Sequence, residues 1–360
     1  MIDGIAFARR VRVLVVDDSA FMRSQLSRMI ETEPDFEVAG TASSGPEALA
    51  KIPRLDPDVV TLDIEMPGPD GLETLRLIMR QYPRPVIIVS AAAESGAETA
   101  LNALRAGAID YVRKNMPDTS LDVAHLHADL VAKIRVAAQS QLALTGHARR
   151  SIRSCTVESE DVIPFAPAIV AIGISTGGPQ ALEEILPLFP RELPVPILIV
   201  QHMQRGFTAP FARRLNGICS IEVHEGSHQE IIRPGVAYIA PAGMHMRLDR
   251  SSAGQMAIWL DSTKQDCPHV PCVDFLLHSV ATYYRHLALG VIMTGMGHDG
   301  AEGMSAIYRH GGYTIGQDEE SCVVYGMPRA CAELGVLRRV VPLAQIPAQI
   351  MHAMRSRRHA

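Results

Sequence analysis

The sequence predicts an α/β protein with an N-terminal five-stranded parallel doubly wound domain, a linker, and a C-terminal doubly wound parallel α/β domain. Three observations carry that expectation. Short apolar runs alternate with amphipathic helical patterns in two separate regions, with short connections throughout. A polar segment without apolar periodicity divides them. In both regions acidic, hydroxyl and glycine residues gather where the apolar runs end, which is where open parallel sheets carry their sites.

The first region reads, in order, as strand "RVLVV", helix "SAFMRSQLSRMIE", strand "FEVAGTA" and helix "GPEALAKI". It continues with "DVVTLDI", "GLETLRLIMRQ", "RPVIIVS", "GAETALNALRAG" and "IDYVRK". Most of its strands are continuously apolar rather than alternating, as parallel strands covered on both faces are. This domain is placed at residues 10–117. The linker, 118–166, holds one helix, "LDVAHLHADLVAKIRVAAQ", followed by a stretch rich in Ser, Thr and charge. From 167 to 355 the strand–helix rhythm resumes, and the tail "RSRRHA" reads as a solvated terminus.

Composition narrows the function classes. A net charge of -5 over 360 residues provides no overall basic field, so nucleic acid is not expected as a partner. No apolar run approaches the roughly 20 residues of a membrane span. The opening "MIDGIAFARRVRVLVVDDSA" has too short an apolar run for a secretory signal, and that run ends in two aspartates. The six cysteines show no short-domain disulfide spacing, which points to a reducing compartment. A cytoplasmic monomer without membrane insertion is the expectation.

In the first domain, strand one ends in Asp17-Asp18 and strand three ends in Asp63. Three carboxylates in one crevice repel one another unless a cation lies between them, and an all-oxygen set suits Mg²⁺. Strands four and five end in Ser90 and Lys114, adding a hydroxyl and an ammonium to the same rim. A cation, a carboxylate nucleophile, a hydroxyl and a lysine together make a phosphoryl-accepting site.

In the second domain, "AIGISTGGPQALEEIL" (171–186) sets Ser175 between glycines where a strand hands over to a helix. "GISTG" fits the G-x-S-x-G pattern, whose sharp turn lifts a serine Oγ clear of the sheet. A phosphate loop would need Lys after its second glycine, and none follows Gly177 or Gly178. Nucleophile and plain tight turn remain. "VPILIVQHM" ends a strand in His202, a candidate base, and "ALGVIMTGMGHDGAEG" ends another in a glycine-rich turn bearing Asp299, a candidate orienter. Gly295, Gly297 and Gly300 suit the backbone angles of an oxyanion-binding turn. "DCPHVPC" places Cys267, His269 and Cys272 at a spacing zinc can use, but no fourth ligand is evident beyond a guess at Asp266, and a loop without metal is the expectation.

On these residues the first domain resembles the receiver domain of bacterial response regulators. The resemblance implies phosphorylation of Asp63, Mg²⁺ held by Asp17, Asp18 and Asp63, phosphoryl contacts from Ser90 and Lys114, and an aromatic switch position at Tyr111. The family usually carries proline after the lysine, where this chain has Asn115. The second domain resembles the catalytic domain of the chemotaxis protein-glutamate methylesterases through "AIGISTGGP", "QHM", "RPGVAYIAPAGMHM", "PCVDFLLHSVA", "TGMGHDGAEGM" and "QDEESCVVYGMPRA". It implies Ser175 as nucleophile, His202 as base and acid, Asp299 as orienter, and the backbone N–H groups of Thr176 and Met296 as oxyanion donors. It further implies demethylation of glutamate methyl esters and deamidation of glutamines on methyl-accepting chemoreceptors, with a chemotaxis histidine kinase as phosphodonor and no cofactor for the hydrolysis itself. Competing classes are a phosphorylation-gated binding module and a small-molecule serine esterase. The long linker leads to the expectation that the unphosphorylated receiver covers the Ser175 crevice.

Overall fold

The computed structural model describes residues 9–68, 70–91, 94–114, 120–146, 166–263, 267 and 269–355. The chain divides into two compact units, Met1–Arg153 and Ser154–Ala360. Asn115, Asp266 and linker residues 118–119 and 147–165 lie outside the described residues.

Unit one alternates β1 (Val11–Val16), α1 (Ala20–Glu31), β2 (Phe36–Ala42), α2 (Gly45–Leu55) and β3 (Val59–Leu62). It goes on through α3 (Gly71–Gln81), β4 (Val86–Ala91), α4 (Glu94–Arg105), β5 (Asp110–Lys114) and α5 (Ser120–Gly146). The first three helices start where side chains satisfy the backbone donors a helix leaves open. Ser19 accepts from Met22 N at 3.3 Å, Ser44 from Glu47 N at 3.4 Å, and Asp70 from Glu73 N at 2.7 Å. All five strands run parallel in the order β2-β1-β3-β4-β5, so the strand order reverses between β1 and β3. That reversal opens a crevice at the carboxyl ends of those two strands.

One assignment changes. The helix after Lys114 is expected in the linker, whereas α5 packs Leu130, Val131, Ile134 and Ala137 against Val13, Val15, Phe36 and Ile87 of the core of unit one. Burying that apolar face makes α5 the domain's fifth covering helix.

Unit two begins with β6 (Ile169–Ile174), α6 (Gly178–Ile185), β7 (Ile197–Gln201), α7 (Thr208–Ile218), β8 (Glu222–Glu225) and β9 (Val236–Ile239). A hairpin follows, β10 (His245–Arg250) with β11 (Met256–Asp261), then α8 (Val273–Tyr284), β12 (Ala288–Ile292), α9 (Ala301–Arg309) and β13 (Tyr313–Gln317). The unit closes with α10 (Met327–Glu333), β14 (Arg339–Val341) and α11 (Ile346–Arg355). Its seven-stranded sheet is parallel throughout, in the order β14-β13-β12-β6-β7-β9-β8. The central strands are apolar along their whole length, as in "IVAIGI" of β6, because helices cover both faces. β6 lies between β7 and β12, so the loops after these three strands converge on one rim. No described helix is long and apolar enough to cross a membrane.

Candidate active site

The loops after β6, β7 and β12 bring Ser175, His202 and Asp299 into one hydrogen-bonded line. His202 Nδ1 lies 3.2 Å from Ser175 Oγ, and His202 Nε2 lies 2.8 Å from Asp299 Oδ2. Asp299 is buried, and its two oxygens are fully engaged. Oδ2 accepts from Val273 N at 2.8 Å, and Oδ1 accepts from Asp274 N at 3.0 Å with Cys272 Sγ 3.3 Å away. Burial pushes this carboxyl upward, but the hydrogen bond and charge of His202 and the two backbone N–H groups outweigh it. The net direction is below the usual carboxylate range. A carboxylate so held keeps the proton of neutral His202 on Nε2 and leaves Nδ1 free to accept from Ser175.

The serine turn is built by close approach. Ser175 N donates to Thr294 O at 3.0 Å, and Gly178 N closes the turn onto Ser175 O at 2.8 Å. Gly177 takes φ 79°, a left-handed angle that favours glycine. A Cβ on Gly178 would lie 1.8 Å from Gln201 Oε1, and one on Gly295 would lie 2.7 Å from Ser175 Cβ. Of the three glycines expected to shape the acidic turn, Gly297 and Gly300 have positive φ (83° and 96°), whereas Gly295 serves by letting the Ser175 turn approach.

Three supporting residues carry no motif that singles them out, and a fourth, His269, stands in the "DCPHVPC" loop in a role other than metal binding. Gln201, buried at the end of β7, donates Nε2 to Ser175 O at 2.9 Å and to His202 O at 3.1 Å. Thr294 donates Oγ1 to Thr176 O at 2.9 Å, and Gln317 Oε1 accepts from Thr294 N at 2.9 Å. His269 lays its ring on that of His202, with centroids 4.3 Å apart. Their only sequence signal is polarity at or just beyond the carboxyl ends of apolar strands, or in a loop rich in Cys and His. His298, next to Asp299 in sequence, is exposed and outside the line. Thr176 is buried at the entry to α6, and Met296 is half-buried in the loop after β12, with its backbone against Gly326.

One cysteine pair departs from the expected absence of a disulfide spacing. Cys267 and Cys272 are paired as a disulfide, with Cα atoms 6.5 Å apart. The two sulfurs and an Asp299 oxygen do cluster closely, but paired sulfurs are not the thiolates a zinc site requires.

In unit one the expected residues also converge. Asp17, Asp63 and Ser90 are buried, Asp18 is exposed, and one oxygen from each of the three aspartates falls within 4.8 Å of the others. Lys114 Nζ reaches Asp17 Oδ2 and Asp63 Oδ2 at 2.6 Å each. Burial raises the Asp63 carboxyl above its ordinary range, Asp17's charge adds to the rise, and Lys114 opposes it. Ser90 Oγ is buried with no hydrogen-bond partner among the described residues, so a polar atom stands ready for a ligand at this rim. This all-oxygen acidic set fits Mg²⁺. Tyr111 is buried, and Lys133 Nζ donates to its carbonyl at 2.5 Å.

Comparison with known proteins agrees with the geometry. The CheB methylesterase family model matches residues 170–350, and the response regulator receiver domain model matches 13–125. A protein-glutamate methylesterase/protein-glutamine glutaminase of Halalkalibacterium halodurans is 44% identical over 342 residues, covering 95% of this chain and 98% of the relative. One from Pyrococcus abyssi is 42% identical over 349 residues, covering 96% and 94%. The crystal structure of the Thermotoga maritima CheB methylesterase catalytic domain superposes with a TM-score of 0.50 at 39% identity, covering 52% of this chain and 98% of that one. The chain belongs to the protein-glutamate methylesterase/protein-glutamine glutaminase family, a CheB methylesterase domain preceded by a response regulator receiver domain.

Proposed function

We propose that Ser175 is the nucleophile of a phosphorylation-regulated hydrolase that removes methyl groups from glutamate methyl esters of chemoreceptors and deamidates their glutamines. The observation that carries this reading is the line from Ser175 Oγ through His202 to buried Asp299. Ser175 Oγ attacks the side-chain carbonyl carbon while His202 Nδ1 takes its proton. The imidazolium so formed is stabilised by Asp299 through Nε2–H. The N–H groups of Thr176 and Met296 receive the negative charge that develops on the carbonyl oxygen. His202 then gives its proton to the methoxy oxygen, which departs as methanol, or to the amide nitrogen of a glutamine, which departs as ammonia. A water, deprotonated by the same nitrogen, hydrolyses the glutamyl ester and frees Ser175.

In the receiver, Asp63 accepts a phosphoryl group from a chemotaxis histidine kinase. Mg²⁺, held by Asp17, Asp18 and Asp63, would neutralise phosphoryl charge when bound. Lys114, an ion-pair partner of Asp63, passes to a phosphoryl oxygen, and the unpartnered Ser90 hydroxyl donates to another. Tyr111 is the switch position, and the protein acts in the cytoplasm.

The test measures methanol release from methylated receptor membranes, with and without acetyl phosphate. The expected result is a phosphodonor-stimulated rate in the wild type and an unstimulated rate in Asp63→Asn. No methanol release under either condition overturns the reading of the hydrolytic site, and equal stimulation of Asp63→Asn overturns that of the receiver.

A further inference from the structure

Beside the triad, the loop that leads into α8 carries chemistry that the ester hydrolysis does not use. Cys272 is buried and Cys267 half-buried, and they are paired across five positions of sequence. Cys272 Sγ lies 3.3 Å from Asp299 Oδ1, a hydrogen-bond distance for sulfur. Only a thiol has a proton to place there; a disulfide sulfur presents lone pairs to a carboxylate. The loop between the two cysteines carries His269, whose ring lies against His202. The redox state of the pair therefore decides whether Asp299 Oδ1 has two donors, Asp274 N–H and Cys272 S–H, or one.

We infer that Cys267 and Cys272 form a reversible dithiol–disulfide switch that slows ester hydrolysis when oxidised. The inference rests on Asp299 orienting His202, as proposed above. A low-molecular-weight disulfide is the oxidant. The half-buried Cys267 thiolate attacks one of its sulfurs, forming a mixed disulfide and expelling one small thiolate. Cys272 thiolate then attacks Cys267 Sγ, forming the protein disulfide and expelling the second. The two protons lost from the cysteines end on the two small thiols, and the protein's two electrons reduce the oxidant's S–S bond. Excess dithiol reverses both steps.

The other cysteines among the described residues are poor competitors for the oxidant. Burial pushes the Cys331 and Cys322 thiols up to about 12 and that of Cys219 up to about 11, so these three carry little thiolate at neutral pH. Loss of the S–H donor leaves Oδ1 of a charged, buried carboxylate less well satisfied. It also leaves the closed loop holding His269 against the ring that must carry protons between Ser175 and the leaving group. A weak donor to a carboxylate corresponds to a change of about fivefold in kcat, with KM little changed.

The experiment equilibrates the full-length protein with reduced and oxidised glutathione at several ratios. Each sample is quenched for alkylation and peptide mass mapping of Cys267 and Cys272, and kcat and KM for methanol release are measured in parallel. The expected result is a kcat about fivefold lower in proportion to the 267–272 disulfide, restored by dithiothreitol. Cys267→Ser keeps the S–H donor and loses the disulfide, so it stays at the reduced rate at every ratio. Cys272→Ala, with neither, stays at the oxidised rate. A wild-type rate that does not follow the disulfide, a Cys267→Ser variant as sensitive as the wild type, or a Cys272→Ala variant at the reduced rate would each overturn the switch. Asp299→Asn in the same assay separates the two claims: if it keeps full activity the triad reading falls, and if it loses activity while the wild-type rate does not follow the disulfide the switch alone falls.

Discussion

Replacing Asp299 by Asn probes the buried end of the Ser175–His202–Asp299 hydrogen-bonded line at nearly constant volume. Both carboxylate oxygens are acceptors: His202 Nε2 and Val273 N point at Oδ2, and Asp274 N points at Oδ1. An amide has one acceptor oxygen and one NH₂, so one of those positions becomes a donor facing a donor. With NH₂ at the Oδ2 position, His202 must accept through Nε2 and carry its proton on Nδ1, against Ser175, where it cannot act as a base. With the amide reversed, the bond to His202 survives, but NH₂ faces the Asp274 N–H at a cost of about 1–3 kcal/mol for an unsatisfied buried pair. In either arrangement the imidazolium loses its charged partner. Comparable loss of tautomer control in serine proteases lowers kcat by about 10⁴, equivalent to roughly 5.5 kcal/mol of barrier at 1.36 kcal/mol per decade. Single-turnover and steady-state methanol release, with thermal unfolding as the control for folding, measure it. A folded variant within tenfold of the wild-type kcat would refute the assignment of Asp299.

Two further outcomes follow from packing and burial. Gly178→Ala places a Cβ 1.8 Å from Gln201 Oε1, and Gln201 cannot move without releasing Ser175 O and His202 O. A stability loss of about 2–3 kcal/mol and at least a tenfold fall in kcat are expected, and an unfolding midpoint and rate equal to the wild type would contradict this. His245 is fully buried, stacked on Phe275, and its ring nitrogens have no hydrogen-bond partner among the described residues. Burial lowers its folded pKa below the ordinary 6.5, against the opposing charges of Asp261 and Asp299. Below about pH 6.5 the unfolded chain therefore takes up a proton that the folded chain does not. Stability falls with pH at up to about 1.4 kcal/mol per unit, until the folded pKa is reached. Urea unfolding followed by Trp259, the chain's single tryptophan, should show this decline between pH 7 and 5, flattened in His245→Leu. Identical pH slopes in the two proteins would contradict it.

Much of this molecule is legible because its strands are continuously apolar and end in chemistry. "RVLVVDD", "VVTLD" and "VIIVS" show both the parallel sheet and the residues at its rim, since strand direction delivers Asp17, Asp63 and Ser90 to one edge. Ser175, His202 and Asp299 follow the same logic, because β6 lies between β7 and β12. Strand order itself is not written in a local pattern. What the sequence hides is what depends on tertiary approach. The helix α5 is an amphipathic stretch beside a polar linker until the receiver sheet covers Leu130 and Ile134. Gln201 and Thr294 are ordinary polar residues next to strands, and only the fold aims them at backbone atoms of the serine turn. The Cys267–Cys272 pairing needs two Cα atoms 6.5 Å apart, which a spacing of five residues permits but does not require.

The central claim is that Ser175 supplies the attacking oxygen and His202, not His298, moves its proton. The most direct measurement is the rate of methanol release from methylated receptor membranes by Ser175→Ala, His202→Ala and His298→Ala, each in the phosphodonor-stimulated full-length protein. Losses of at least about four orders of magnitude are expected for the first two, and a rate near wild type for His298→Ala, whose side chain is exposed and outside the hydrogen-bonded line. A folded Ser175→Ala protein that still releases methanol at a tenth of the wild-type rate, or equal losses at His202 and His298, would contradict it.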